Sequence, residues 1–517
     1  MSGNTRSRCL GGLLILAAMM IVGCSTSGDE ASIVTWPVDS DPTVALKVWI
    51  KVGSMDDPVG KEGLAYLTGE MIADASTTDL RYEEILEKLY PMAAGYGVRV
   101  DRQMTVLSGR VHRDNLDAYN DLFSAALLKP AFAQDDFDRI KDDTLNYLQN
   151  SLRYQEDEEL GKAALQWLAF GGDGYAHPIA GTVQGVESIT LDDVKAFYGQ
   201  YYVRQNVMPA IGGGYDDTLK SGFKARVAGL ADGAANDSVA SPMRHPERTE
   251  VLLVDKPGAD ASISFGFPIE VRRGEREFYA LWLANSWLGE HRNSSSHLYK
   301  VIRETRGMNY GDYSYIEAYP GGGRRSVPPT HVGRDRQMFE VWIRTLPDAQ
   351  AHFAIRAAMR ELSLLVENGL TEEQFELTRE FLSKYILHFA PTTQGQLAYR
   401  LDDQFYGIDG EGHLARFREV LDTLTREEVN AAIRKHLGSS GVYIAMVTGD
   451  AVGMAEALIS DGPSPMTYGS TKPDDVLAED REISSFSLKI EKDDVRIVAV
   501  DAIFAARQSS SAPEVRP

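Results

Sequence analysis

Ile189-Thr190-Leu191-Asp192-Asp193-Val194 recurs as Leu424-Thr425-Arg426-Glu427-Glu428-Val429, at an offset of 235 residues and without a gap. The register continues: Ala196 meets Ala431, Val207 meets Val442, Ala210 meets Ala445, and Gly214 meets Gly449. In both copies a Thr stands where a helix N-cap accepts from the backbone, and acids follow where the helix dipole is positive. A short apolar strand comes next, VMPAIGG at 207–213 and VYIAMVTG at 442–449. Earlier elements recur as well. Residues 43–52 (TVALKVWIKV) alternate, which sets Val44, Leu46, Val48, Ile50 and Val52 on one strand face. Residues 261–269 are their counterpart, and each strand leads into an amphipathic helix, at 63–74 and at 276–288. The chain therefore reads as two halves with one plan. Strands and long helices come in runs rather than in strict alternation, so the fold class is α+β, with a mixed or antiparallel sheet packed against helices in each half.

The remaining divisions follow from composition. The first half covers residues 33–235 and the second 249–460. Between them, 236–248 (NDSVASPMRHPER) is polar, carries two prolines and reads as a linker. Residues 461–517 form an acidic, irregular C-terminal extension whose one strand-like run lies at 496–500. It is expected to pack at the edge, with 508–517 disordered.

The N-terminus has the form of a lipoprotein export signal over residues 1–23. Arg6 and Arg8 precede an apolar run at 10–22, shorter than the ~20 residues that cross a bilayer. Ile21-Val22-Gly23-Cys24 fits a lipobox with Cys24 as the acylated residue, and residues 24–32 read as a flexible tether. Ser25 after the lipidated cysteine directs the chain to the outer membrane. These features imply a bacterial envelope protein, lipid-anchored on the periplasmic face of the outer membrane. Cys9 leaves with the signal and Cys24 is consumed by lipid, so neither of the two cysteines is left for a disulfide. A formal net charge of −22 argues against nucleic acid and against holding anionic lipid through charge.

The first predicted helix begins Gly63-Leu64-Ala65-Tyr66-Leu67-Thr68-Gly69-Glu70-Met71. Further on stand Tyr175-Ala176-His177-Pro178 with Gly185, Tyr201-Tyr202 with Asn206, Asp255-Lys256-Pro257-Gly258, and Asn285-Ser286-Trp287-Leu288-Gly289. In order and spacing these motifs resemble the pitrilysin/insulinase-type metallopeptidases over about residues 33–450. In that family Gly-Leu-Ala is followed by His-x-x-Glu-His, whose two imidazoles share a helix face and hold zinc while the Glu serves as base. Here Tyr66 and Glu70 stand at the ligand positions, Gly69 at the base position, and Asn146 near the third ligand. The first histidine of the whole chain is His112, so no shift of frame restores an imidazole to this helix.

The resemblance implies two homologous halves closed as a clamshell, with no metal in this chain. It also implies that Arg303 and Tyr310 occupy the positions of a family Arg/Tyr pair that faces the zinc across the clamshell. A guanidinium fork can hold a substrate carbonyl, and a phenol can donate to a developing oxyanion. A lost zinc site beside a kept Arg/Tyr pair looks like the non-metal subunit of a two-chain metallopeptidase. Its partner would be a homologous zinc-bearing subunit, and its substrate a peptide or unfolded protein. Two other functions fit the residues: an inactive envelope pseudopeptidase that binds peptides or scaffolds a complex, and a self-sufficient hydrolase with another metal geometry. Three further features have plain readings. His177 before Pro178 anchors a turn. Glu156-Asp157-Glu158-Glu159 points around a helix and reads as a solvated face. Gly321-Gly322-Gly323 lacks the context of a phosphate loop and reads as a flexible turn that shapes the substrate cavity.

Overall fold

The computed structural model describes residues 32–506. The expected export segment, Cys24 and its tether up to residue 31, and the expected disordered end at 508–517 lie outside the described residues.

Two sheets carry the fold. The first contains β1 (Val34–Pro37), β2 (Thr43–Ile50), β3 (Gly95–Val100), β4 (Thr105–His112) and β5 (Val207–Gly213), in the order β1-β5-β2-β4-β3. The second contains β6 (Glu250–Asp255), β7 (Ala261–Ile269), β8 (Asp312–Tyr315), β9 (Gln337–Leu346), β10 (Tyr443–Thr448) and β11 (Val495–Ala499), in the order β11-β6-β10-β7-β9-β8. Among the described residues the only difference in plan is β11. In each sheet a first strand pairs parallel with a late one, β1 with β5 and β6 with β10, and three antiparallel pairings follow. Sequence repeat and strand order thus describe the same duplication. The repeated caps are in place: Thr190 accepts from the Asp193 N–H and Thr425 from the Glu428 N–H.

The alternation of β2 is real, but its second face is not open to water. Val44, Leu46, Val48, Ile50 and Val52 join the core of the first half. On the other side, Ala45 and Trp49 pack with Leu397 and Leu401, and the Trp49 ring lies 6.0 Å from that of Phe405. Those three partners belong to the Thr393–Tyr406 helix of the second half. The exchange is reciprocal. The Asp157–Phe170 helix of the first half lies across β10, β7 and β6 of the second sheet, with Leu160, Ala164 and Leu165 in one cluster with Leu252, Tyr443 and Val447. Each half therefore covers its neighbour's sheet, and the interface is a hydrophobic core.

Two expectations change here. The acidic extension is more regular than its composition suggests: besides β11 it forms the helix Asp474–Ser484. That helix is held by charge, since Arg306 Nε donates to Asp480 at 2.8 Å and Arg360 to Glu482 at 2.6 Å. Nor does the extension stop at the edge. Beyond β11, Val500, Ile503 and Phe504 enter the first-half core, where Phe504 meets the Trp167 ring edge-on at 5.3 Å. The Val183 and Gln184 N–H groups donate to the Phe504 and Ala505 carbonyls at 3.0 and 2.8 Å, so the last described residues tie the two halves together.

Candidate functional site

Buried Asp57 starts the helix that bears the altered zinc motif, Leu64–Ala73. Its carboxylate accepts from the Gly63 and Ala65 N–H groups, both at 2.7 Å, where anions favour a helix N-terminus. His177 Nε2 lies 3.8 Å from Asp57, and its Nδ1 lies 2.8 Å from the Pro178 carbonyl. His177 is thus a turn anchor, as expected. One turn apart on this helix, Tyr66 and Glu70 face a crevice of about 630 Å³ between the halves. The first half contributes Val98, Arg99 and Val100 of β3, with Arg102, Tyr147, Glu159 and Lys162. The second half contributes Tyr319, Pro320, Arg324, Arg334, Glu340 and Trp342.

The residues at the zinc positions do not fit that metal. Burial raises the Tyr66 phenol far above its ordinary range, and the charges of Glu70 and Tyr147 add to the effect, so it is not an available anion. Burial and the nearby Asp74 push Glu70 up to about 7. Asp74 is engaged elsewhere, accepting from Tyr82 and from Arg139 Nη1 at 3.1 Å. At Gly69 the base position has no room for a side chain: a Cβ would stand 2.7 Å from Val100 Cγ2. Asn146 is exposed and accepts from Asn150 at 2.7 Å. The residue that lines the crevice with Tyr66 is instead Tyr147, because the inward face of the Gln134–Asn146 helix runs through Phe137, Ile140 and Thr144. Asn146, two residues past Thr144, points away from that face. Among the described residues no group of three His, Cys, Asp or Glu side chains is placed to hold a metal ion. Elemental analysis of the dialysed chain is expected to find well under stoichiometric zinc, and about one tightly held zinc per chain would contradict this account.

Glu70 leads to a pH prediction. Its folded value lies above its ordinary 4.5, so the folded state holds the proton more tightly between about 4.5 and 7. Stability is lost as pH rises through that window and the deficit is complete above it. Glu70→Gln keeps an acceptor for Tyr66 and removes the charge. It is expected to stabilise the protein by about 1–3 kcal/mol at pH 8 and to have little effect at pH 4, read from urea unfolding.

The acidic run corrects the sequence reading, which made it a solvated face. All four acids are half-buried and paired, three of them to bases of the second half. Glu156 pairs with Arg324, Asp157 with Lys256, and Glu158 with Arg344 at 2.6 Å. Glu159 holds Lys162 at 2.5 Å, and Lys162 Nζ stands 3.4 Å from the Trp342 ring centroid. The glycine turn shapes this wall as expected: a Cβ at Gly322 would come within 2.4 Å of the Trp342 ring, and Gly321 takes a left-handed φ of 68°.

Arg303 and Tyr310 are brought to each other but not to Tyr66 and Glu70. The Arg303 guanidinium lies 5.8 Å from the Tyr310 ring centroid, and neither residue lines the crevice. Tyr310 is 77 % exposed. Within this chain the pair does not face the motif helix, because the Tyr319–Arg324 turn and β9 build the opposing wall. Tyr147, Lys162, Trp342 and the arginines of the crevice were not singled out by sequence. Arg99 alone left a trace, as the one charge in the run from 95 to 100.

The family model described as Insulinase (Peptidase family M16) matches residues 33–183, and that described as Peptidase M16 inactive domain matches 188–382. An uncharacterised zinc protease of Streptomyces coelicolor is 24% identical over 349 residues, covering 66% of this chain and 71% of its own. Among solved structures, a peptidase M16 inactive domain from Pseudomonas fluorescens superposes with a TM-score of 0.70 at 22% identity, over 81% of this chain and 96% of its own. A protease from Helicobacter pylori gives a TM-score of 0.68 at 15% identity, over 81% and 97%. Family matches along both halves, on a duplicated sheet whose first helix has lost its metal ligands, mean that this chain belongs to the pitrilysin/insulinase family of peptidases, M16, as one of its zinc-less type.

Proposed function

We propose that this chain is the zinc-free member of a two-chain peptidase of the bacterial envelope, lending Arg303 and Tyr310 to the active site of a homologous zinc-bearing partner. The observation that carries the reading is the outward display of this pair. Tyr310 is exposed, Arg303 stacks on it, and among the described residues neither side chain is engaged in a hydrogen bond or ion pair. An Arg and a Tyr serving only their own chain would gain from internal partners. Left free, a guanidinium fork and a phenolic O–H suit a carbonyl that gains negative charge as a peptide bond is attacked.

The crevice supports a share in binding the peptide or unfolded-protein substrate. β3 is the edge strand of the first sheet, and Val98, Arg99 and Val100 line the opening. Its unpaired backbone groups can take an added strand. This observation also favours the second reading, an inactive pseudopeptidase that binds peptides without cleaving them. Reconstitution separates the two. Mixed with a zinc-bearing homologue, the chain should copurify and raise peptide cleavage well above that of either chain alone. A mixture no more active than the zinc chain alone would leave the binding module.

The proposed location is the periplasmic face of the outer membrane, held by lipid on Cys24. Cys24→Ser is expected to release the protein from the membrane fraction of fractionated cells. Retention as firm as wild type would refute lipid anchoring.

A further inference from the structure

Positive charge gathers in one corner of the crevice, against the −22 of the chain as a whole. Arg99, Arg102 and Arg334 all line the opening, and the charges of Arg325 and Arg334 both bear on Arg99. Asp402, whose charge also bears on Arg99, accepts from the His331 N–H at 3.0 Å and faces Arg273, and Asp101, which sits among the arginines, is likewise committed. Arg334 Nε and Nη2 approach its two oxygens at 2.6 and 3.1 Å, and the Arg102 N–H donates to it at 2.8 Å. Among the described residues the Arg102 guanidinium has only neutral acceptors: Ser54 Oγ at 3.2 Å, Gln166 Oε1 at 3.1 Å and the His177 carbonyl. Arg325 Nε donates to the Pro320 carbonyl at 3.2 Å. Glu340, on the far wall, accepts from Trp342 Nε1 at 3.2 Å and its charge bears on Arg334 rather than on Arg99.

Arg99 is the member left over. Among the described residues its side chain has no hydrogen bond and no ion pair, and its Nε is buried without a partner. Burial draws its pKa down and the charges of Arg325 and Arg334 add to this, while Asp101 and Asp402 act against it from a distance without pairing with it. It stands on the edge strand β3, on the face opposite Val98 and Val100, which pack toward Gly69 of the motif helix. A planar fork of donors at this place matches a carboxylate, which accepts two parallel N–H bonds.

We infer that Arg99, backed by Arg102, Arg325 and Arg334, forms a carboxylate-binding site for a peptide lying along β3. The inference rests on the peptide-binding role proposed for the crevice and adds the chemistry that this role selects. The carboxylate is either the C-terminus of the peptide or an acidic side chain within it.

The test is fluorescence anisotropy with the full mature chain and N-terminally labelled alternating Val/Thr peptides. One ends in a free acid, one in an amide, and one amide carries an internal Glu with a Gln counterpart. The expected result is a preference of about 10- to 100-fold for the acid-bearing peptide, since a hydrogen bond to a charged group discriminates on that scale. That preference should vanish in Arg99→Gln and survive in part in Arg99→Lys, with circular dichroism of both variants matching wild type. A preference that follows the free acid assigns the C-terminus, and one that follows internal Glu assigns a side chain; either supports the site. Peptides bound equally well with and without acid, unaffected by Arg99→Gln, overturn the carboxylate site and leave the peptide-binding role standing. Absence of binding by every peptide overturns both.

Discussion

Tyr310→Phe should lower peptide cleavage by the reconstituted two-chain enzyme about 100- to 1000-fold, the usual cost of one lost oxyanion donor. The change removes a single hydroxyl from a ring that is 77 % exposed, so fold and assembly have little to lose. A donor that meets charge only in the transition state acts on turnover and not on substrate binding. The fall should therefore appear in kcat with KM nearly unchanged and copurification intact. Arg303→Ala should in addition raise KM, because it takes away a fork of donors and the charge beside the substrate. It also removes the cation from the Tyr310 face, 5.8 Å from the ring centroid, so the two effects should be less than additive in the double variant. Wild-type kinetics in both single variants would reject the completing-subunit mechanism.

Asp101→Asn should cost about 3–5 kcal/mol of stability, the penalty of leaving buried charge without its partner. Asp101 is 1% exposed and Arg334 is 5% exposed. They join the first half to the second, with Arg99 and Arg102 close by. Asn keeps the shape and leaves three guanidinium groups facing one another. Burial pushes the Asp101 carboxyl up, but Arg334, Arg99 and the Arg102 N–H together outweigh it, and the net result is a pKa below the ordinary value. A depressed folded value means that this contribution is complete above the ordinary carboxylate pKa and is lost as pH falls through the folded one. The gap between wild type and variant should therefore be full at pH 7 and close in acid. Urea unfolding at several pH values would show it, and a loss below about 1 kcal/mol at pH 7 would contradict the assignment.

The same cluster illustrates what a sequence holds and what it does not. Thr190 and Thr425 could be read as caps because a cap bonds to a backbone group three residues away, and the pattern is entirely local. The inner face of β2 was legible because its period of two is a property of the strand itself. The missing imidazoles were legible because residue identity alone decides whether a donor exists. By contrast, Glu156 to Glu159 look identical in sequence whether they face water or Arg324, Lys256 and Arg344. Only the crossing of the Asp157–Phe170 helix over the second sheet decides between them. The outer face of β2, closed by Leu397 and Leu401, and the choice of Tyr147 over Asn146 were settled in the same way. So was the unpaired state of Arg99. The sequence by itself determined the duplicated α+β plan, its caps and the loss of the zinc ligands, because these depend on neighbours within about one helical turn or on composition alone. The tertiary structure decided which charges pair, which faces are covered and which side chains share the crevice. Those contacts join residues far apart in the chain, such as Glu158 with Arg344 and Ala45 with Leu397, and no local periodicity encodes them.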